Sequence, residues 1–420
     1  MHPQFSFSKR EVFTCCMILV SCVLQACAQS SASSDNSAFS SPDISNMREI
    51  RIDPTSVPVV KTSGFLDSIV YLPLETTANS AFGEVTQMEV TDKYFIIWDK
   101  VTNAILFFTK KGKFHSKISN KDKSVKVPYK EISQFAVNEK EQLITVDDRH
   151  SQYEYYYDLE GKSKGFQEKK HYLNNFCSFN GVEVQFWNYY PGQKKPTNSL
   201  AGSVTISKNG VSKDYLPYNI KVIDNADQYG TDQCFYNNQN GRFNFTRTYD
   251  YTVYSIDSTG KFSADYKFIL PAVNTAPDDF LDNPKYQGKR VAYTQEHTDL
   301  LFGITDFYVH GENIAFRTTG IGSNIISIYN LKSGTQVSPS NAISDKKSYM
   351  LPFVDKRYYA MDKDGGLISG VDAVSLFKAR LKLIGTEGWN SSLPPSLKAF
   401  FKTDNQQNPV LTIMHLKQKI

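Results

Sequence analysis

Outside its first 27 residues the chain has little cysteine. Four of its six cysteines, Cys15, Cys16, Cys22 and Cys27, crowd the N-terminus, leaving Cys177 and Cys234 in the body. Two thiols are too few for a disulfide scaffold. They stand at comparable places in neighbouring repeats, so one bridge and two free buried thiols both stay open. Histidine is sparse: His2, His115, His150, His171, His297, His310 and His415 include no His-x-His or His-Glu-x-x-His pair. Zinc sites of standard local spacing are thereby excluded, and neither a metal nor a cofactor is expected. Charge of one sign does not accumulate either. Lys and Arg number 47 against 43 Asp and Glu, a net +4, with no arginine-rich stripe. Nucleic acid is therefore not an expected partner. Gly161-Lys162-Ser163 lacks the earlier glycine of a phosphate loop, since Tyr156 stands there, and Gly320-Ile321-Gly322-Ser323-Asn324 is not a nucleophile elbow.

Aromatic residues are abundant, with 25 Tyr and 28 Phe, as strand-rich chains require. They recur in one phrase: an alternating apolar run, a polar turn, a glycine and usually a lysine. It reads Ile105-Leu106-Phe107-Phe108-Thr109-Lys110-Lys111-Gly112-Lys113, then Tyr155-Tyr156-Tyr157-Asp158-Leu159-Glu160-Gly161-Lys162. It returns around Gly210, as Val253-Tyr254-Ser255-Ile256-Asp257-Ser258-Thr259-Gly260-Lys261, and around Gly334. Successive turn glycines fall 49, 49, 50 and 74 residues apart. Each phrase is a hairpin whose glycine supplies positive φ. A period of roughly 40–50 residues with several short strands predicts a β-propeller.

Lys9 and Arg10 precede the apolar stretch Val12 to Leu24, which is too short to span a bilayer as a helix and has the form of a secretory signal. It ends in Leu24-Gln25-Ala26-Cys27, which resembles a bacterial lipobox and marks Cys27 for acylation. The chain thus divides into a lipoprotein signal (1–27), a flexible tether (28–48) rich in Ala, Ser and Asn, and a propeller (49–420). A lipid anchor on an outer membrane follows, its facing left open. The 74-residue interval predicts a loop with helical turns over Asn274 to Leu300. Val374, Phe377, Leu381 and Ile384 keep helical spacing and predict a helix, and Pro394-Pro395 opens a second helical run. The last strand is Val410–Leu416. It is expected to pair with a strand near Ile69–Leu74, closing an all-β ring of six blades and removing the open edge.

Four stretches carry a family resemblance: Ile69-Val70-Tyr71-Leu72-Pro73-Leu74-Glu75-Thr76-Thr77, Lys111-Gly112-Lys113-Phe114, Gly303-Ile304-Thr305-Asp306-Phe307, and Asn408-Pro409-Val410-Leu411 running to Leu416-Lys417. Through them the chain resembles the six-bladed β-propeller lipoproteins of the Gram-negative envelope, formerly grouped as domains of unknown function. That resemblance implies the fold and the lipid anchor, with no reaction to carry over. Where relatives have a glycine-rich Gly-x-Gly-Pro-Gly-Glu-Tyr-like loop after the first hairpin, residues 120–131 keep only Pro128 and Tyr129 and bring lysines instead.

Two clusters are candidates for function. Asp147-Asp148-Arg149-His150, at a strand end, has the residue types of acid–base chemistry, although a solvated loop explains it as well. Trp187, Tyr189 and Tyr190 in the third repeat and Tyr236, Asn237 and Arg242 in the fourth offer rings beside amide and guanidinium donors, a mix suited to carbohydrate or peptide, although packing between blades also consumes aromatics. Asp362-Lys363-Asp364-Gly365-Gly366 lacks the further acids of a calcium loop and reads as a polar turn. The expected function is a non-catalytic binding or scaffold module for an oligosaccharide, peptide or envelope partner protein. The alternatives are a lyase or hydrolase at the channel mouth and a structural subunit of an outer-membrane complex.

Overall fold

In a computed structural model of the chain, the described residues are 39–121, 127–169, 175–189, 199–223, 227, 233–238, 241–322 and 324–420. Cys27 and Tyr190 lie outside them. Six sheets form the body, each with four antiparallel strands, and that of blade 4 takes a fifth, parallel strand at its outer edge. Blade 1 is Gln87–Val90, Tyr94–Asp99, Ala104–Thr109 and Phe114–Ser119; blade 2 is Ile132–Asn138, Leu143–Asp148, Tyr153–Asp158 and Ser163–Glu168. Blade 3 is Asn175–Phe179, Val182–Phe186, Leu200–Lys208 and Val211–Asn219; blade 4 is Phe235–Asn238, Arg242–Phe245, Thr252–Asp257 and Phe262–Ile269. Blade 5 is Leu301–His310, Asn313–Gly320, Asn324–Asn330 and Gln336–Val337. Blade 6 is Ala360–Met361, Leu367–Val371, Val410–Leu416 and, from the start of the chain, Leu66–Pro73.

The first strand of each blade is innermost and touches its counterparts in the adjacent blades, which closes the ring. Burial follows from position. Tyr94–Asp99 is buried along its whole length, because Tyr94, Ile96 and Trp98 pack toward blade 2 and Phe95 and Ile97 toward blade 6. Ser163–Glu168, an outermost strand, is exposed at five of six positions. Strand direction alternates, so each blade's first and third turns lie on one face, here the short-turn face. Second-to-third loops and blade-to-blade connections lie on the other, the loop face. Helix Arg290–Glu296, between blades 4 and 5, and helices Ala373–Leu383 and Pro395–Phe400, inside blade 6, are therefore all on the loop face.

The expected closure is present, with Ile69 opposite Met414 and Leu72 opposite Leu411. Asn408, buried at 2% exposure, latches it. Its Nδ2 donates to Glu75 O (3.0 Å) and Ser80 O (2.9 Å), its Oδ1 accepts from Phe82 N (3.0 Å), and its own N–H donates to Thr76 Oγ1 (2.8 Å). Glu75 continues the latch into blade 1, where its carboxylate accepts from Phe114 N (2.9 Å) and its N–H donates to Gly112 O (2.8 Å). Gly112 has φ +75°, and a Cβ there would stand 2.4 Å from Pro73 O, so both the turn and the contact require glycine.

The structure corrects two sequence readings and decides a third. The folded body begins at Ser40, before the tether ends on the sequence reading: Ser40 N donates to Asp214 O, Asp43 N donates to Phe262 O, and Arg48–Arg51 runs parallel beside the outer strand of blade 4. Continuing to Thr62, which donates to Ile343 O, residues 40–62 strap the circumference from blade 3 to blade 6. Phe235–Asn238, read as a loop, is the innermost strand of blade 4, and Asn175–Phe179 plays that part in blade 3. Cys177 and Cys234 are both buried and free, not bridged.

Asn408→Ala removes three side-chain hydrogen bonds, among them those to Ser80 O and from Phe82 N–H, so it is expected to lower stability by about 2–4 kcal/mol, read as a lower denaturation midpoint in urea. A midpoint unchanged from wild type would show that the strand ladder alone closes the ring.

Candidate functional site

Three of the four family-like phrases meet at the closure latch. The fourth, Gly303–Phe307, lies on the innermost strand of blade 5 and builds the channel. Its register with Asn313–Gly320 shifts between Thr305 and Tyr308, and within that bulge Asp306 takes φ +49°, a left-handed backbone that Asp tolerates better than most residues. Its carboxylate is fully buried. Arg317 Nε lies 3.0 Å from one oxygen and Arg357 Nη2 2.9 Å from the other. Arg357 also donates to Thr86 O at 3.2 Å, so a single side chain joins blades 5, 6 and 1. Neither side chain is sealed: 21% of Arg317 and 15% of Arg357 stay accessible. Two cations share this anion, and Glu89 is also close enough to act on the adjoining Tyr308. Arg357 and Thr86 precede the innermost strands of blades 6 and 1, which places the cluster toward the loop face. Tyr236 and Tyr308 stand edge to face beside it, 5.7 Å apart. Burial, with Asp306 adding to it, pushes both phenols above their ordinary range.

Farther along the channel Glu89 is half-buried. Burial raises its carboxyl from 4.5 to about 7, against the opposing hydrogen bond from the Gln87 amide and with a smaller push from the Glu139 carboxylate. Gln87, Glu89, Asn175, Ser178 and Gln233 line a cavity of about 20 Å³, room for one water. Gln233 Oε1 and Gln134 Nε2 have no hydrogen-bond partner.

Of the residues singled out from sequence, Tyr236 borders this cluster and the others described sit elsewhere. Asp147, Asp148, Arg149 and His150 come together at the blade 2 loop, but the fold uses them. Asp148 is buried and accepts from the N–H groups of Lys130 (2.6 Å), Glu131 (3.2 Å) and His150 (2.9 Å). Asp99 in blade 1 caps its loop in the same way, accepting from Gly83, Glu84, Val101 and Thr102. Asp147 pairs with Lys169 at 2.8 Å, while Arg149 and His150 both reach Glu131, at 3.6 and 3.0 Å. The aromatic set is interior. Trp187 is 4% exposed and donates to Thr205 Oγ1, Tyr189 is 2% exposed and donates to Thr248 O, and Tyr236 is fully buried and donates to Gln233 O. These rings offer no flat face to solvent, because the connection over 270–300 covers Tyr189 and the ring of inner strands encloses Tyr236. Asn237 is exposed, and Arg242 lines a polar cleft of about 460 Å³ with Asp265 at 3.8 Å. Asp362 accepts from Asp364 N and Gly366 N, as a polar turn does. Among the described residues no group of three or more His, Cys, Asp and Glu is placed to hold a metal ion.

The family model described as "Domain of unknown function (DUF4934)" matches residues 49–415, the folded body almost end to end. The chain belongs to this family. No curated protein matches it. Among solved structures, a Bacteroides fragilis protein inferred to be exported superposes with a TM-score of 0.69 at 14% identity, over 88% of this chain and 100% of the other. That likeness establishes the propeller fold and nothing finer. A DUF4221 member from Bacteroides vulgatus (TM-score 0.41, 10% identity, 84% and 97% coverage) and a streptogramin B lyase (TM-score 0.36, 11% identity, 83% and 97% coverage) are more distant, and neither bears on what this DUF4934 protein does.

The raised carboxyl of Glu89 gives a testable pH dependence. Between 4.5 and about 7 the folded state binds more protons than the unfolded state, so this group makes stability fall as pH rises through that window. Glu89→Gln removes the penalty. The variant should match wild type at acidic pH and exceed it by at most about 3 kcal/mol above neutrality. Equal stability of the two proteins at both extremes would show that solvent in the channel screens the carboxylate.

Proposed function

We propose that this DUF4934 protein is a non-catalytic binding module of the cell envelope, held by a lipid on Cys27, which captures an oligosaccharide or peptide bearing an acidic group. The observation that carries this reading is the Asp306 cluster. A carboxylate in a left-handed backbone lies 3.0 Å from Arg317 and 2.9 Å from Arg357, and both arginine side chains remain partly accessible. Guanidinium forks suit carboxylate and sulfate geometry better than ammonium groups do. A rigid ring holds them without further ordering on binding, which favours affinity. Backbone strain of this kind concentrates at functional sites. The signal-like N-terminus with its lipobox supports the address, and the exported status inferred for the Bacteroides fragilis protein of the same fold accords with it.

A second reading, an enzyme acting in the channel, is favoured by Glu89 alone: a half-buried carboxyl near neutrality is poised for proton transfer. It replaces the Asp147–His150 cluster in that role.

Arrays of acidic and neutral oligosaccharides and peptides discriminate these readings. Wild type should retain acidic ligands only, and Arg317→Gln should weaken retention by about tenfold or more, the loss of one charge-assisted contact. Arg317→Gln is preferred to Arg357→Ala because Arg357 also joins three blades. Retention that ignores ligand charge would sink the Arg317–Arg357 site, and turnover abolished by Glu89→Gln would establish the second reading. Cys27→Ser should move the protein from the membrane to the soluble fraction, and retention on the membrane would remove the lipid anchor from the proposal.

A further inference from the structure

The channel carries charges of opposite sign at two depths, and the inner strand Gln87–Val90 sets the interval between them. Arg357 donates to Thr86 O, just ahead of that strand, so the arginine pair stands at the level of Thr86. Glu89 follows three residues later on the same extended chain. At about 3.3 Å per residue, it stands about 10 Å deeper. Two tyrosines connect the levels. Arg357 and Glu89 both act on Tyr308, and Tyr236, edge to face with it, donates to Gln233 O at 2.8 Å.

At the deeper level acceptors are left over. Glu89 takes one long hydrogen bond, from Gln87 Nε2 at 3.5 Å, and pairs with no cation among the described residues. The charge that acts on it is a second carboxylate, Glu139, while Lys110 and Lys363 act on Glu139 and not on Glu89. An independent group points the same way. Gln233 is 7% exposed, and Nε2 donates to Phe235 O at 2.8 Å, which fixes the amide. Its Oε1 is left as an acceptor with no partner, on the cavity of about 20 Å³ that Glu89 also lines. Gln134 Nε2, the unpartnered donor nearby, does not line that cavity. A buried amide oxygen without a donor is costly unless a guest supplies one. The cavity holds one water-sized group. A primary ammonium has that size, carries three donors and brings the positive charge that Glu89 lacks.

We propose that Glu89 and Gln233 form an ammonium subsite and that the ligand is a short peptide with both ends free, its amine seated there and its carboxylate on Arg317 and Arg357. This rests on the acidic-ligand reading above and narrows it to a zwitterion of defined length. An extended chain spans about 3.3–3.6 Å per residue, so about three residues bridge about 10 Å, whereas a single amino acid does not. The amine enters first, and the carboxylate stays toward the loop face.

Titration calorimetry of the full chain with trialanine, N-acetyl-trialanine, trialanine amide and alanine tests this. Trialanine should bind, and acetylation or amidation should each weaken it about tenfold or more, the loss of one charge-assisted contact. Alanine, too short to bridge the two levels, should bind no better than the blocked peptides. In Glu89→Gln the acetylated and free peptides should bind alike while amidation still weakens binding, and Arg317→Gln should show the reverse. Each variant thereby reports its own folding through the end it still discriminates. Sensitivity to amidation without sensitivity to acetylation overturns the ammonium subsite and leaves the acidic-ligand reading standing. Sensitivity to acetylation alone removes the acidic-ligand reading and leaves Glu89 as an amine site. Indifference to both ends, or no binding of trialanine, overturns the proposal and leaves a single water to satisfy Gln233, and the arrays of acidic ligands then judge the broader reading alone.

Discussion

Ring closure is the constraint on which the rest of this structure depends. Six open sheets have no independent reason to stay in a circle. Each hides its faces against two neighbours, so a gap anywhere exposes two apolar faces at once. The chain meets this by giving blade 6 a strand from each end of the folded body. It secures the join with Asn408, whose buried amide binds the segment leaving the N-terminal strand. Glu75 then passes the join on to the blade 1 turn. Strand ladders alone are permissive of slippage, because neighbouring backbone groups are chemically alike. A side-chain amide with both its donor and acceptor sides satisfied has one register, and so specifies which strand closes the ring.

The same logic appears around the channel. Gln87 of blade 1 holds both N–H and C=O of Phe135 in blade 2, and Gln134 of blade 2 accepts from Phe176 N in blade 3. Arg357 joins blade 6 to Asp306 of blade 5 and to Thr86 ahead of blade 1. Inner strands are short and converge, so they cannot extend ladders to each other. Side-chain groups bridge them instead. This leaves the channel polar, and some of its polar atoms lack protein partners. The bridging side chains, with the hydrogen-bonding capacity they leave open, are thus consequences of closing the ring.

Much of the architecture was legible in the sequence because it rests on local chemistry. Turn glycines at Gly112, Gly161, Gly210 and Gly260 need positive φ, and all four have it. The helices after Asp372 and Pro394 show in spacing and proline. What was not legible depends on distant partners. The strap at Ser40–Asp43 has no apolar pattern, because its bonds run backbone to backbone along sheet edges. Phe235–Asn238 is too short to show alternation. Tyr189 looked available because it follows a strand, yet its burial is decided by a connection about 80–110 residues later, and no local rule reports it. The site was half legible. Gly303–Phe307 stood out as a phrase, but the partner of Asp306, Arg357, is 51 residues away and meets it only because blade 6 follows blade 5 around the ring.

The family-like phrases therefore divide by physical task. Those around Glu75, Gly112 and Asn408 converge on one junction and are accounted for by closure. Their bonds are saturated and their side chains mostly interior, so no ligand needs to be invoked for them. The phrase around Asp306 differs. Closure does not require a left-handed aspartate: a backbone amide pair or an apolar contact, such as Tyr236 against Tyr308 between blades 4 and 5, joins blades without strain. Nor does it require two arginines on one carboxylate, since Arg357 alone bridges the blades. Arg317 is the surplus. It lies on the second strand of blade 5 and reaches Asp306 of its own blade, so it joins nothing that the ladder between those strands does not already hold. A strained acid 3.0 Å from a redundant, partly accessible cation is the physical ground for proposing that Arg317 serves binding and not closure.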